Sequence, residues 1–236
     1  MNVMPGEDGY PATIEITLPA AMTVIPFGAS EAEVVAEHGD GTKTWRYETN
    51  RAGGILYAGD YVREEIQAGG LTIDFYYGRK HQAVMEAVLA VMDYCAGHYG
   101  SLAFGDGERL KLIQSRVAGG GYAGDGASLL DEADFTAHNL GDADKGGGAA
   151  EVMIHELVHQ WWGLGNMFDT ADPWSAEGLT CYTTYRIAKE LYGEDYAREH
   201  YVNQWRAEVE DYYLNFYVRH PEYLEALPEA ERLAIS

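Results

Sequence analysis

Cysteine is scarce in this sequence, which has only Cys95 and Cys181 among its 236 residues. Two cysteines make neither a disulfide framework nor the closely spaced pairs of a zinc knuckle. The sequence therefore excludes a small disulfide-stabilised scaffold and a cysteine-rich metal site. It leaves the redox compartment of the protein open.

Basic residues are also few, with 16 Lys and Arg against 38 Asp and Glu, a formal net charge of -22. A surface with this charge repels phosphate backbones and anionic lipid headgroups. We therefore predict that the chain has no nucleic-acid partner and makes no direct contact with a membrane. Most of its acidic side chains are expected to form a solvated surface.

Long apolar runs are missing as well. No stretch approaches eighteen uninterrupted apolar residues, and the N-terminus lacks the basic and apolar regions of a signal peptide. The sequence predicts a soluble segment and does not indicate a cellular location. Its strand-like start and its abrupt end at LAIS are typical of a segment of a longer polypeptide.

Residues 1–79 consist of short β-prone runs separated by Gly, Pro, Asn and Asp. The runs are ATIEITLP, AMTVIPF, KTWRYET, GILYAGDYVREEI and LTIDFYY. They predict a β-rich region, which we take as the first part of a two-part chain.

Residues 80–236 follow a helical period. Val84, Val88, Val91 and Met92 share one helix face and predict a first helix of about twenty residues that ends at Gly97 or Gly100. Further helices are predicted for residues 149–162, 175–192 and 195–219, each of which ends before a glycine or a proline. In the intervening sequence, LKLI and ASLL predict two strands around a glycine-rich bend, and DKGGGAA predicts a loop before the second helix. The expected fold class is α+β, with a mostly helical second domain.

The run HELVH, residues 155–159, carries the strongest chemical signal. Residues i and i+4 lie on one face of a helix, so His155 and His159 can take adjacent positions on one metal ion, and imidazole nitrogens suit zinc. Glu156 cannot share that position but can reach a water on the metal as a general base. Glu177 is the best candidate for a third ligand, although an acidic residue in the first turn of a helix is also common for its interaction with the helix dipole.

These residues resemble the aminopeptidase N family of zinc peptidases. The resemblance rests on HELVHQWWG, on the glutamate of WSAEGLTCYTTY 18 residues after His159, and more weakly on strand-like sequence upstream. It implies a thermolysin-like zincin catalytic domain, preceded by the last strands of an N-terminal β-domain. It also implies one Zn²⁺ per chain held by His155, His159 and Glu177, with Glu156 activating a zinc-bound water to hydrolyse a peptide substrate.

The chain departs from this family in two places. The segment that usually grips the free amine of the substrate corresponds to Gly120, Gly121, Tyr122 and Ala123, with Ala123 at the position of the amine-binding glutamate. We predict that these residues line the substrate cleft without that anchor. The tyrosine that stabilises the oxyanion usually lies farther along than this chain continues, and tyrosines 212, 213, 217 and 223 are the available candidates.

Two other interpretations of the motif remain open. The missing amine anchor also fits a zincin-fold binding or scaffold domain that binds zinc with little or no peptidase activity. A different zinc hydrolase or a purely structural metal site would use the same residues. The presence of Glu156, which is not a ligand, favours an enzyme. Trp161 and Trp162 are expected to pack the motif helix rather than to contact a substrate.

Overall fold

The structure is a computed structural model that describes residues 11–28, 30–49, 56–78, 82–102, 109–115, 121–124, 126–131, 143–165, 173–229 and 231–232. The chain forms two compact units, of which the first reaches Ile187 and the second begins at Ala188.

The N-terminal strands form two small sheets. Strands β1 (Ala12–Pro19), β3 (Glu33–Glu37) and β4 (Thr42–Thr49) form an antiparallel sheet in the order β1-β4-β3. Strand β2 (Thr23–Pro26) pairs with β5 (Leu56–Gly59). Exposed and half-buried residues alternate along β1, as expected for a strand that covers a core with one face only.

A five-stranded mixed sheet forms the centre of the first unit. It contains β6 (Val62–Ala68), β7 (Leu71–Tyr77), β8 (Arg109–Ser115), β9 (Tyr122–Gly124) and β10 (Ala127–Asp131), in the order β6-β7-β8-β10-β9. Strand β8 is parallel to β7 and to β10, whereas β9 runs antiparallel to β10. The central strands are buried almost throughout, as is usual for parallel strands covered on both faces. Strand β9 forms one edge of this sheet.

Two helices pack against each other and beside this sheet. They are α1 (Gln82–Tyr99) and α2 (Ala143–Val158), and α2 lies against β10 and β9. Their buried residues include Val91 and Met92 of α1 and Ile154 and Leu157 of α2. Helix α2 thus brings the HELVH run to the β9 edge of the sheet.

Helix α3 (Glu177–Tyr192) follows a 3₁₀ turn at Pro173–Ser175. The second unit continues with α4 (Glu194–Ala197), a π-helical turn (Arg198–Val202), α5 (Asn203–Leu214), α6 (Phe216–Arg219) and α7 (Pro221–Ala226). The single helix predicted for residues 195–219 is therefore divided, because Asn215 leaves the helical conformation.

The glycine cluster before the motif was predicted as a loop, and this prediction is wrong. Helix α2 begins at Ala143 and includes Gly146, Gly147 and Gly148. Glycine in a helix costs only about 1 kcal/mol relative to alanine, so it lowers the preference for helix without forbidding it. The helix also ends at Val158 rather than Trp162, because the chain tightens into i to i+3 bonds such as Trp161 N–H to the Val158 carbonyl at 2.9 Å.

The strand predictions also needed correction. LKLI and ASLL do form strands β8 and β10, but the two are parallel, and the segment between them contributes β9. The run GILYAGDYVREEI contains two strands, β5 and β6, which belong to different sheets. Strand β3 in EVVAE was missed. Strand β3 has five mostly exposed residues and lacks the alternation of apolar and polar residues that marks a half-buried strand.

The predicted α+β class is confirmed, with a β-rich N-terminal region and a helical C-terminal part. The boundary between residues 79 and 80 stays a prediction. No helix in the described part of the chain combines the length and apolar character that crossing a membrane requires.

Candidate metal centre

Three side chains from two helices converge at the end of α2. The Nε2 atoms of His155 and His159 are 3.0 Å apart, and Glu177 Oε2 lies 3.2 Å from His155 Nε2 and 3.6 Å from His159 Nε2. The imidazole rings are almost perpendicular, at 86°, with centroids 4.6 Å apart. Within the described residues, this is the grouping of His, Cys, Asp and Glu whose ligand atoms lie close enough for one metal ion.

These distances fit zinc. Ligand atoms about 2.0–2.2 Å from a tetrahedral zinc ion are about 3.3–3.6 Å from one another. The three observed separations of 3.0, 3.2 and 3.6 Å are close to these values. Two imidazoles and one carboxylate would fill three corners of such an ion, and this donor set would leave the fourth corner open.

The environment of His159 selects the tautomer that can bind a metal. Its Nδ1 lies 3.1 Å from the Trp162 carbonyl oxygen, which can only accept, so Nδ1 carries the proton and donates it. The Thr180 hydroxyl lies 3.3 Å from the same nitrogen. The lone pair of His159 is therefore on Nε2, the atom that faces His155 and Glu177. Metal-binding histidines usually have such a partner on their second nitrogen.

Burial keeps His155 in its neutral form. Desolvation, followed by the nearby His159, lowers the pKa of His155 below its ordinary value of 6.5. Its Nδ1 is 3.9 Å from Cys181 Sγ, one turn after Glu177 on α3. A neutral imidazole is the form that coordinates a metal, so the site disfavours the protonated form that would repel it.

The close approach of two backbones places Glu177. Gly163 has φ +85°, and a Cβ at this position would lie 2.8 Å from Ala176 Cβ. Only glycine adopts this left-handed conformation readily and leaves room for Ala176. A second contact follows along α3, where Thr183 Oγ1 accepts a 3.0 Å hydrogen bond from Trp162 Nε1. Together these contacts hold the first turn of α3 beside the end of α2.

Glu156 lines the same cleft as His155, His159 and Glu177. Burial, followed by the charge of Glu177, raises the pKa of Glu156 to about 7. Its side chain packs against Gly121, where a Cβ would lie 2.1 Å from Glu156 Cγ. The side chain of Glu156 is therefore held between α2 and the start of β9.

Replacing Gly121 with alanine is expected to displace Glu156. Gly121 has no positive φ, so the backbone tolerates alanine and the clash with Cγ is the main effect. We expect metal content to be unchanged and the turnover of a cleaved peptide to fall by about tenfold to a hundredfold, the cost of misplacing a catalytic group by about 1 Å. Metal analysis and steady-state kinetics measure the two quantities.

Gly97→Ala is the matched control for this variant. Gly97 lies in α1, has open space around its Cα and should gain about 0.5–1 kcal/mol of stability as alanine. Full activity in Gly121→Ala would contradict the expected displacement of Glu156.

A cleft of about 240 Å³ surrounds these groups. Its lining includes His155, Glu156, His159 and Glu177, together with Gly121, Tyr122 and Ala123 of the β9 segment. Three of the four predicted substrate-binding residues thus line the cleft, and Gly120 lies outside the described residues. The candidate tyrosines 212, 213, 217 and 223 belong to the second unit, and their role stays a prediction.

The two tryptophans after the motif hold the helix in place. Trp161 is buried and donates from Nε1 to the Gly100 carbonyl at 2.9 Å. Trp162 packs edge-on against Tyr99, with ring centroids 5.0 Å apart. Both positions agree with the packing role predicted from the sequence. Gln160, between His159 and Trp161, was not singled out from the sequence, yet it is fully buried and bonded to the β9–β10 turn.

Comparison with solved structures places this arrangement in a known fold. The M1 zinc metallopeptidase from Deinococcus radiodurans is similar over 86% of this chain, at 17% identity and a TM-score of 0.53. The chain shares its fold with M1 zinc metallopeptidases. A mutant of the D. radiodurans enzyme bound to the substrate Tyr-Ser-Ala gives a TM-score of 0.52 at 18% identity over 86% of this chain. An aminopeptidase N family protein from Idiomarina loihiensis gives 0.56 at 14% identity over 79%.

The similarity to M1 structures covers part of those proteins. This chain spans 45%, 46% and 35% of the three solved chains, which is less than half of each. No protein-family model matches the sequence, and no curated protein matches it. The shared feature is therefore the M1 fold, within which His155, His159 and Glu177 meet.

Proposed function

We propose that this chain is the catalytic part of a zinc-dependent peptidase of the aminopeptidase type. The observation that carries the proposal is the convergence of His155 Nε2, His159 Nε2 and Glu177 Oε2 at separations of 3.0–3.6 Å. The M1 fold supports it, since the similar protein from D. radiodurans is a zinc metallopeptidase of which a mutant was solved bound to the substrate Tyr-Ser-Ala.

In this proposal the three converging side chains hold one zinc ion. Two neutral imidazoles and one carboxylate leave a centre of net charge +1, which supplies a Lewis acid that polarises a carbonyl group and acidifies water. A carboxylate oxygen of Glu156 accepts a proton from the attacking water. It then passes this proton to the nitrogen of the departing amine.

The β9 edge supplies the surface for the substrate. An extended peptide can add to an exposed sheet edge through main-chain hydrogen bonds, which makes binding largely independent of sequence. Tyr122 and Ala123 lie on β9 and also line the cleft. A peptide laid along this edge passes beside Glu156, because Glu156 packs against Gly121.

The proposal is tested by metal analysis and cleavage of one peptide in two forms. The zinc content of purified, undialysed protein is measured first. Cleavage of Tyr-Ser-Ala and of its N-acetylated form is then assayed before treatment with a chelator, after it, and after zinc is restored. About one zinc per chain and cleavage that is lost on chelation and regained with zinc support the proposal. Comparison of the two peptides shows whether a free amine is required.

Two results would overturn the proposal in different ways. Stoichiometric zinc without cleavage of either peptide would favour the binding or scaffold interpretation. Absence of zinc, together with failure of added zinc to raise the melting temperature, would show that the cluster is not a zinc site, because a ligand that binds the folded state stabilises it.

A further inference from the structure

Gln160 lies in the turn after α2 and joins the segment that carries both histidines to the edge strand of the sheet. Its Nε2 donates to the carbonyl oxygen of Gly124 at 3.0 Å and of Ala127 at 3.1 Å, and lies 3.2 Å from Ser128 Oγ. Its Oε1 accepts from the Gly126 N–H at 3.0 Å. The amide oxygen is thus bonded to the turn between β9 and β10, and the amide nitrogen to the last residue of β9 and the start of β10.

This contact is made at a weak point of the fold. Strand β9 has three residues and pairs with β10. A strand this short has few ladder hydrogen bonds to hold its position. The turn that joins β9 to β10 contains Gly126 at φ +69°. The Gln160 amide therefore adds hydrogen bonds to the part of the sheet that has the fewest.

Gln160 is also directly coupled to the metal centre. It follows His159 in the chain, so its backbone cannot move without moving that histidine. A second hydrogen bond lies close by, in which Ser128 Oγ donates to the Glu156 carbonyl oxygen at 3.2 Å. The β9–β10 pair is consequently tied to the segment that carries Glu156 and Gln160 at two neighbouring points, through Gln160 and through Ser128 of β10.

We infer that Gln160 is a positioning residue that fixes edge strand β9 relative to Glu156 and the three converging side chains. It thereby sets where the scissile bond of a peptide on β9 lies, a role that rests on the proposed function. A glutamine that only stabilised the fold would affect every substrate equally. A glutamine that positions β9 affects most the substrates that extend along the strand.

The test uses Gln160→Met, which keeps the length of the side chain and removes all of its hydrogen bonds, and Gln160→Glu, which keeps the acceptor for Gly126 and removes the donors. Zinc content and affinity are expected to stay within about twofold of the parent protein, because the hydrogen bonds that the Gln160 amide makes go to the β9–β10 turn and its flanking strands rather than to a candidate ligand side chain. For Tyr-Ser-Ala we expect kcat/KM to fall by about 30- to 100-fold, because misplacement of about 1 Å has a cost of this size. For tyrosine 4-nitroanilide, which has one residue, we expect a fall of less than about threefold.

Hydrogen exchange gives a readout that does not depend on activity. Amides in peptides covering residues 121–127 are expected to exchange about tenfold faster or more in both variants, because the local opening of β9 becomes easier. Gln114→Met is the matched control. Gln114 is also buried and lies on β8, which does not pair with β9. Its Oε1 accepts a 2.7 Å hydrogen bond from the Gly78 N–H.

The possible outcomes separate this inference from the proposed function. Unchanged exchange over residues 121–127 in Gln160→Met overturns the inference whether or not the protein cleaves peptides. Equal losses on both substrates, matched by Gln114→Met, also overturn it, because they show a general effect on stability. A parent protein that neither binds zinc nor cleaves peptides refutes the proposed function, and faster exchange in Gln160→Met then still shows that Gln160 holds β9.

Discussion

Replacing Glu156 with glutamine is expected to abolish most peptide cleavage and leave zinc bound. The amide has the same shape and can keep the contact with Gly121, but it cannot take a proton from water. Loss of a general acid–base group lowers kcat by about 10²- to 10⁴-fold. Zinc content by elemental analysis and kcat on Tyr-Ser-Ala check the two halves of this prediction.

The stability of the same variant provides an independent check. The pKa of Glu156 is raised from 4.5 to about 7 in the metal-free protein. Ionising this carboxyl group therefore costs stability at pH values above its unfolded pKa, and this cost is removed as the pH falls. Glutamine removes it at every pH, so metal-free Glu156→Gln should melt no lower than the parent at neutral pH.

Glu151→Gln is the control for Glu156→Gln, because Glu151 lies on the same helix and is exposed. It should retain both zinc and activity. Unchanged turnover in Glu156→Gln would rule out the role of this carboxylate as the base.

Replacing Glu177 with alanine is expected to lower zinc affinity itself. Glu177 Oε2 is one of the three converging ligand atoms, 3.2 Å and 3.6 Å from the two histidine nitrogens. Changes to groups that only support a ligand already cost about 10- to 100-fold in affinity, so removal of a ligand should cost at least about 100-fold. Competition with a chelator of known affinity measures this loss.

Thermal unfolding offers a second measure of Glu177→Ala. A ligand at 100 times its dissociation constant stabilises a folded protein by about 2.7 kcal/mol. Zinc should therefore raise the melting temperature of the parent and have little effect on the variant at the same concentration. Glu190→Ala, an exposed position near the other end of α3, is the control and should respond to zinc as the parent does. An undiminished zinc affinity in Glu177→Ala would remove Glu177 from the ligand set.

The elements that were predicted well depend on neighbouring residues. Helix α1 ends at Tyr99, before Gly100 at φ +83°, and α3 ends at Tyr192, before Gly193 at φ +94°, because glycine adopts this left-handed conformation without strain. The side-by-side placement of His155 and His159 is likewise a local property, since four residues make about one helical turn. These features could be read from a window of a few residues.

The wrong or missed predictions of helices and strands lie where the local preference for secondary structure was overridden or too weak. The three glycines at 146–148 lie in a helix despite their low helix propensity, because the preference that each contributes is small. Strand β9 was missed since three residues carry no usable alternation, and this strand supplies Tyr122 and Ala123 to the cleft. Its existence depends on pairing with β10, which no short window contains.

By itself the sequence determined the α+β class, most of the helices and the candidate residues His155, Glu156, His159 and Glu177. Tertiary structure alone decided that these residues meet. Glu177 reaches the histidines because Gly163 allows Ala176 to approach, a contact between residues thirteen positions apart. Gln160 belongs to the HELVHQWWG run that carries the resemblance, but its role could not be predicted, because that role arises from carbonyl groups more than thirty residues away in the chain. Packing brings such groups together, and local sequence preference does not encode the distance between them.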